Sequence, residues 1–583
     1  MDPLWKNRGV PWEFDPGPAP NRKWARLFAE TPNYRKIGKD ASGTELFRWH
    51  FGPMFYRGRL TDGAVKVLVI GQEGAQDESL AHRSFSGGTG ARMQHFLRHL
   101  GITQSYLFLN TFVYPIFGQY DAELRPLAQG LTSPIVLHRH ALLDYVVERN
   151  DLRLVVAVGA AAKETVTTWV KAHGGTCGDG PKDVSTCTMS VIAPKLRAVG
   201  VVHPGGAGKG ASTAAIKADF IKALTTITTW ADDDPTWLPV DAGATRESPT
   251  SYKYASAPIP FHDLPYGVAW RIGRGGTSSN RKDNQRSIQI FSSGGSYGAS
   301  VNYADDCIGS KDGYDDEPGD LPYEPPKHSF GDYDPGPPST IARLLQGGDA
   351  SCPWPDFAAL GVTSHTSFGR GPIYRGRFAD ARLLILADQE SHDDLFMFRA
   401  LTGDGGQRLQ AWLTAAGLTT SYVILRTLPV DTLDLPTATV EALVDRAEVR
   451  VLHAEAVKLI AAANPLAALV TVGPHAKRLL PHVAAAGLPR IEMASPTASG
   501  FLASWQAALA QVKQLSFPRD LPSPTFSYTG TRGQIPRLDL PFGTLRWQGS
   551  SGDRAARAKP SSAFSPHYYK VHMPAWAFQL DPE

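Results

Sequence analysis

The chain has 583 residues, of which 42% are hydrophobic and 20% charged, and a formal net charge of +3. Such a length exceeds what one hydrophobic core serves, so two or more domains are expected, and the apolar share excludes a disordered chain. The small positive charge permits a nucleic-acid partner without demanding one, so any basic surface has to be local.

The N-terminal stretch Met1–Asp15 is polar and broken by prolines, without the apolar centre of a signal peptide. No apolar run is long enough to span a membrane. A cytoplasmic protein is the expectation. The four cysteines are Cys177, Cys187, Cys307 and Cys352. None forms a Cys-x-x-Cys pair, so neither a zinc ribbon nor an iron–sulfur cluster is expected, and no metal or other cofactor is assigned. Cys177 and Cys187 could meet across a loop, but two reduced thiols are the expected state.

The next feature is a repeat. Phe14-Asp15-Pro16-Gly17-Pro18 returns as Tyr333-Asp334-Pro335-Gly336-Pro337, and Tyr56-Arg57-Gly58-Arg59 as Tyr374-Arg375-Gly376-Arg377. Ile259-Pro260 with Asp263-Leu264-Pro265-Tyr266-Gly267 returns as Ile535-Pro536 with Asp539-Leu540-Pro541-Phe542-Gly543. Three matches in one order indicate a tandem duplication with a shorter interior in the second copy. The resulting division is a leader (1–63), a first domain (64–232), a tail extension and linker (233–332), a second leader (333–380), a second domain (381–516) and a C-terminal tail (517–583). Within the linker, Asp305–Pro326 is rich in Asp, Gly and Pro and carries no helix or strand period. The stretches Arg271–Arg286 and Gly549–Lys559 read as hairpin or loop extensions.

In the first domain, the apolar runs Val65–Ile70, Tyr106–Leu109, Leu154–Val158 and Ala198–Val202 predict buried parallel strands. Helices are expected over Ala91–Leu100, where Met93, Phe96, Leu97 and Leu100 share a face, and over His138–Arg149 and Ala161–Ala172. This alternation predicts an α/β fold, three layers α/β/α around a short central parallel sheet. Ligands in such folds bind beyond the carboxyl ends of the strands. Gly71-Gln72-Glu73-Gly74-Ala75 follows the first strand, Asn110 ends the second, and His203-Pro204-Gly205-Gly206 follows the fourth. A carboxylate, an amide and an imidazole on one rim suit leaving-group chemistry on a polar heterocycle.

These segments resemble a known set. Gly71-Gln72-Glu73, then Ser84-Phe85-Ser86-Gly87, Leu109-Asn110-Thr111, Val158-Gly159 and Val202-His203-Pro204 are similar to the ordered motifs of the uracil-DNA glycosylase superfamily. The resemblance covers roughly residues 65–230 and is weaker in the second copy. It implies a DNA glycosylase that flips a base out of DNA and hydrolyses its N-glycosidic bond, leaving an abasic site. By that resemblance Glu73 positions water or stabilises the sugar cation, Asn110 reads the base edge, His203 stabilises the departing base, and Phe85 stacks on it. Gln72, Gly74 and Ala75 would line the pocket, with Gly205, Gly206 and Lys209 on the DNA. Gly205 stands where the family usually has serine. The loop is not a phosphate-binding Walker motif, since His203 replaces its first glycine and Gly210 follows the lysine. Ala75 stands where some members carry a tyrosine that blocks pyrimidine C5. An open C5 side suits a C5-modified cytosine of phage DNA, such as the glucosylated hydroxymethyl form, and hence antiviral defence. Uracil repair and DNA binding without catalysis are the two other readings.

In the second copy, Gln389 stands opposite Glu73, Leu401 opposite Phe85, Arg426 opposite Asn110 and Ser495 opposite His203. The expectation is a like fold without catalysis.

Overall fold

A computed structural model of the chain describes residues 8–19, 22–43, 46–47, 52–74, 78, 81–116, 120–178, 183–205, 212–268, 333–347, 349, 351–362, 373–390, 394–433, 435–483 and 487–544, with the backbone of 555–557 and 569–571. The linker Asp305–Pro326 and the segment Arg271–Arg286 lie outside them. Within Gly549–Lys559, Ala555–Arg557 pairs antiparallel with Tyr569–Val571.

The first sheet holds five strands: β1 (Arg57–Gly58), β2 (Val67–Gly71), β3 (Tyr106–Asn110), β4 (Leu154–Val158) and β5 (Arg197–Val201), in the order β1-β3-β2-β4-β5. The last four are mutually parallel, and β1 runs antiparallel on the edge against β3. The two-residue edge strand escapes sequence reading because so short a segment has no period. Gly58 explains itself in the pairing. Its φ is +112° and a Cβ there would collide with the Tyr106 carbonyl, so only glycine lets β1 approach β3 this closely.

Alternating strand residues face two cores, as a three-layer arrangement requires. Leu68, Ile70, Leu107, Leu109, Val155 and Ala157 pack toward helices Pro134–Arg149 and Ala160–Ala172. Val67, Val69, Tyr106, Phe108, Leu154 and Val156 pack toward helices Gly88–His99 and Thr213–Asp233. Pro134 starts its helix four residues before the expected His138, where its missing N–H costs nothing.

The second sheet repeats this plan. Strands β6 (Tyr374–Gly376), β7 (Leu383–Ala387), β8 (Tyr422–Arg426), β9 (Ala468–Val472) and β10 (Arg490–Met493) lie in the order β6-β8-β7-β9-β10, again with one antiparallel edge. Small features match as well. Asp241 accepts the amides of Thr103, Gln104 and Ser105 before β3, and Asp520 those of Thr419, Thr420 and Ser421 before β8.

The three recurring sequence segments assemble into buried ionic networks. Asp263, fully buried, accepts from Arg57, from Arg59 at 2.7 Å and from the Tyr106 hydroxyl at 2.7 Å. Asp539 accepts from Arg375 and the Tyr422 hydroxyl in the same way. Asp15 accepts from the Tyr56 hydroxyl and from Arg83 Nε at 2.6 Å, and Asp334 from Tyr374 and Arg399 Nε. Burial opposes the charge on Arg83 and Arg399, yet the neighbouring Asp15 and Asp334 hold both guanidiniums above their ordinary pKa. The aromatic residues of these segments cross between copies. Phe542 and Tyr333 join the core of the first copy; the Phe542 ring lies tilted against Phe28, Phe55 and Tyr56, with Tyr333 edge-on to it. Tyr266 joins the core of the second, with Phe14 packed beside it and Tyr374 against it. The two copies thus meet through a reciprocal exchange resembling a two-fold interface within one chain.

One expectation is corrected. Cys177 and Cys187 form a disulfide rather than two free thiols. Hydrogen bonds between Thr188 N and the Thr176 carbonyl, and between Gly178 N and Thr186 Oγ1, pinch this loop so that the sulfurs meet. Reasoning from compartment alone could not foresee that geometry. Among the described residues no helix is long and apolar enough to cross a membrane.

Candidate functional site

The carboxyl ends of β2 and β3 lie side by side. Gly71 is the register partner of Asn110, and the following turn is tied across by Thr111 N to the Gly71 carbonyl and Phe112 N to the Gln72 carbonyl. A methyl group on Gly71 would overlap the Phe85 ring and come within 2.6 Å of Asn110 Oδ1. Gly71, Phe85 and Asn110 therefore converge on one point.

Asn110 is 7% exposed. Its Nδ2 donates to Ser84 Oγ at 3.3 Å, whereas its Oδ1 is buried without a donor. Buried polar atoms are seldom left unpaired, because the lost hydration costs about 1–3 kcal/mol. An acceptor held open at a strand end marks a place where a ligand N–H would be welcome. Ser84 stands in the Ser84-Phe85-Ser86-Gly87 segment, but the sequence assigned it no role. Its hydroxyl donates to the Met54 carbonyl at 2.7 Å and so presents its lone pair to Asn110. Its position directly before Phe85 was the available signal.

Phe85 is buried against Phe108, with ring centroids 4.9 Å apart. Its backbone is left-handed, φ 53°, and Leu401 in the second copy shares this at 52°. Strain of that kind usually attracts a functional reading. Here it belongs to the shared scaffold, since the leucine copy keeps it.

Gln72 and Glu73 follow β2 at partly buried positions. Gly74 is buried because Met54 and Glu78 crowd it and leave no room for a side chain. Ala75 lies outside the described residues, and Glu78 accepts from Gly87 N at 2.9 Å, at the start of the helix Gly88–His99. His203 stands two strands away, beyond β5, with its Cβ 3.4 Å from the place a Cβ would take on Gly159. It is exposed, and its Nδ1 accepts from Gly205 N at 3.0 Å. In the neutral ring this leaves the proton on Nε2, making that nitrogen a donor. The neighbouring Pro204 carbonyl is gripped by Arg92 Nη1 at 3.0 Å and Tyr254 hydroxyl at 2.8 Å, a clamp without a sequence signature. Gly206 and Lys209 lie outside the described residues. The structure thus joins Asn110 with Phe85 and adds Ser84. It sets Glu73 on the same turn and His203 on the same end of the sheet.

In the second copy the corresponding strand-end positions carry Ala387 and Arg426. Ala387 is the register partner of Arg426, whose buried guanidinium donates to the Val430 carbonyl at 2.8 Å. Burial depresses its pKa, against the attraction of Asp394, Asp431 and Asp388. Burial also raises Asp388 to about 6, opposed by the amides of His475 and Ala476 that it accepts.

Comparison with known protein families finds no match, and comparison with curated proteins finds none either.

Proposed function

We propose that the chain is a DNA glycosylase whose first copy hydrolyses the N-glycosidic bond of a flipped pyrimidine. The observation that carries this reading is Asn110 Oδ1, a buried acceptor without a donor beside Phe85 at the carboxyl end of a parallel sheet. A pyrimidine edge supplies the missing N–H, from N3 of uracil or the exocyclic amine of cytosine, while an amide hydrogen of Asn110 meets the adjacent acceptor. His203 Nε2 would donate to the leaving base as negative charge grows on it, and Glu73 would face the sugar as positive charge develops there. Leaving-group stabilisation and water positioning then divide between the two rims of the sheet end. DNA is the partner, and no cofactor is assigned.

The preferred substrate class is a C5-modified cytosine, for which Ala75 is the sequence feature in favour. The test is abasic-site formation on otherwise identical duplexes carrying uracil, 5-hydroxymethylcytosine or its glucosylated form. Release of the modified base with Asn110-dependent kinetics supports the reading. Release of uracil alone reassigns the chain to uracil repair. Tight binding with no excision of any base leaves a DNA-binding protein.

A further inference from the structure

The loop that carries Ser84 and Phe85 begins at Arg83, and Arg83 is held from both copies. Its guanidinium is 1% exposed. Nε donates to Asp15 of the first leader, and Nη1 donates to the carbonyl of Phe542, in the tail of the second copy, at 3.1 Å. The Phe542 ring lies 5.6 Å from both Phe28 and Phe55. Next to it, a Cβ on Gly543 would come within 3.3 Å of His82 Cβ, so the tail also lies against the residue before Arg83. Two hydrogen bonds carry the position onward: Ser84 N to the Tyr56 carbonyl, and Asn110 Nδ2 to Ser84 Oγ at 3.3 Å. That last contact is near the limit of a hydrogen bond, so a shift of a few tenths of an ångström would release Asn110.

We propose that Phe542 is a positioning residue for the site of the first copy, and that the second copy serves the first as a strut. It touches no substrate; it fixes Arg83, which fixes Ser84, which orients the amide of Asn110. The mirror contact exists, with Arg399 Nη1 donating to the Tyr266 carbonyl at 3.0 Å. There the loop leads through Ala400 to Leu401 and ends opposite a buried Arg426. The interface is symmetric, and its consequence for Asn110 is one-sided.

The activity half of this inference rests on the glycosylase reading; the structural half does not. The experiment uses the full chain as Phe542→Ala, Phe542→Leu, Phe542→Tyr and Tyr266→Ala. Hydrogen exchange is read at the amides of Arg83–Gly87 and Arg399–Gly403. Single-turnover excision is read at saturating duplex carrying uracil or glucosylated hydroxymethylcytosine. Phe542→Ala should speed exchange about 10-fold or more in the first loop only, a local opening rather than global unfolding. It should slow excision roughly 10- to 100-fold, the loss expected of a catalytic group displaced by less than an ångström, with duplex affinity unchanged. Tyr266→Ala should reverse the exchange pattern and spare excision. Phe542→Tyr should behave as the parent, since Tyr266 fills the equivalent place. Phe542→Leu gives the same pattern in weaker form and substitutes for the alanine variant if that one does not fold. Equal loosening of both loops, or of neither, overturns the strut. A parent chain that excises neither base overturns the glycosylase reading, while the exchange pattern still decides the strut.

Discussion

The two strand ends at Asn110 and Arg426 share a backbone and differ in what they leave open. At the first, glycine faces a neutral amide whose oxygen lacks a donor. At the second, alanine faces a buried guanidinium in the field of three carboxylates. The strained loop, the edge strand, the amide-capping aspartate and the ionic networks are common to both. Architecture and chemistry are therefore separable. A packed scaffold survives while the residue at the strand end changes from a neutral amide to a buried guanidinium.

The largest effect should come from breaking what the copies share. Asp263→Ala strands the fully buried Arg57 and removes an acceptor from Arg59 and Tyr106. Leaving a buried charge unpaired costs about 3–5 kcal/mol, read as a lower denaturant midpoint. Asp539→Ala should cost less, because Asp539 serves Arg375 and Tyr422 without a second arginine. Equal losses would mean that Arg59 contributes nothing.

A crossed pair of substitutions comes next. Arg426→Ala removes the cation facing Asp388 and Asp394 and should cost about 3 kcal/mol of stability while sparing single-turnover excision at saturating DNA. Asn110→Ala should change stability by less than about 1 kcal/mol yet lower excision about 100-fold, as for other lost transition-state hydrogen bonds. Collapse of excision in Arg426→Ala would place the second copy inside the catalytic machine.

The pH dependence of stability separates the copies more finely. Burial raises Asp388 from 3.8 to about 6, so the folded state holds its proton more tightly than the unfolded chain. The associated stability is fully present below pH 4 and is lost as pH rises through about 6, at most about 3 kcal/mol for a shift of that size. Asp388→Asn should flatten this part of the stability–pH curve; an unchanged slope assigns it to other groups. The last comparison pairs Gly71→Ala with Ala387→Gly, the second of which should give the smallest effect. The added methyl collides with Phe85 and Asn110, at an overpacking cost of about 1–3 kcal/mol, and should close the site. Ala387→Gly in the second copy should cost about 1 kcal/mol or less with excision unaltered. Retained activity in Gly71→Ala would show that the base enters elsewhere.

Much of the fold was legible because its signals are local. The strands at Leu154–Val158 and Tyr106 onward are unbroken apolar runs, and helix Ala160–Ala172 begins one residue before its expected start. Leader helices Lys23–Ala29 and Tyr34–Ser42 went unread, being only seven and nine residues long. Asn110 was legible as a strand-end residue, whereas Phe85 entered only through the family resemblance. Ser84, Arg92 and Tyr254 were not legible, because their roles depend on partners brought near only by folding. The recurring Tyr-Arg-Gly-Arg and Asp-Leu-Pro segments were visible as repeats, but their meaning as paired charges across some 200 residues was not.

By itself the sequence determined the alternation of strands and helices, the recurrence of three segments in one order, and which residue types stand at each strand end. Hydrophobic periodicity and residue identity act over a few neighbours and are written in order along the chain. Only the tertiary structure decided that Cys177 meets Cys187, that Arg57 finds Asp263, and that Phe542 and Tyr266 cross into the opposite copy. All but the disulfide, which closes a ten-residue loop, are long-range. An aromatic ring carries no mark of which core will bury it, and the choice falls to whichever packing leaves no buried charge unpaired and no cavity unfilled.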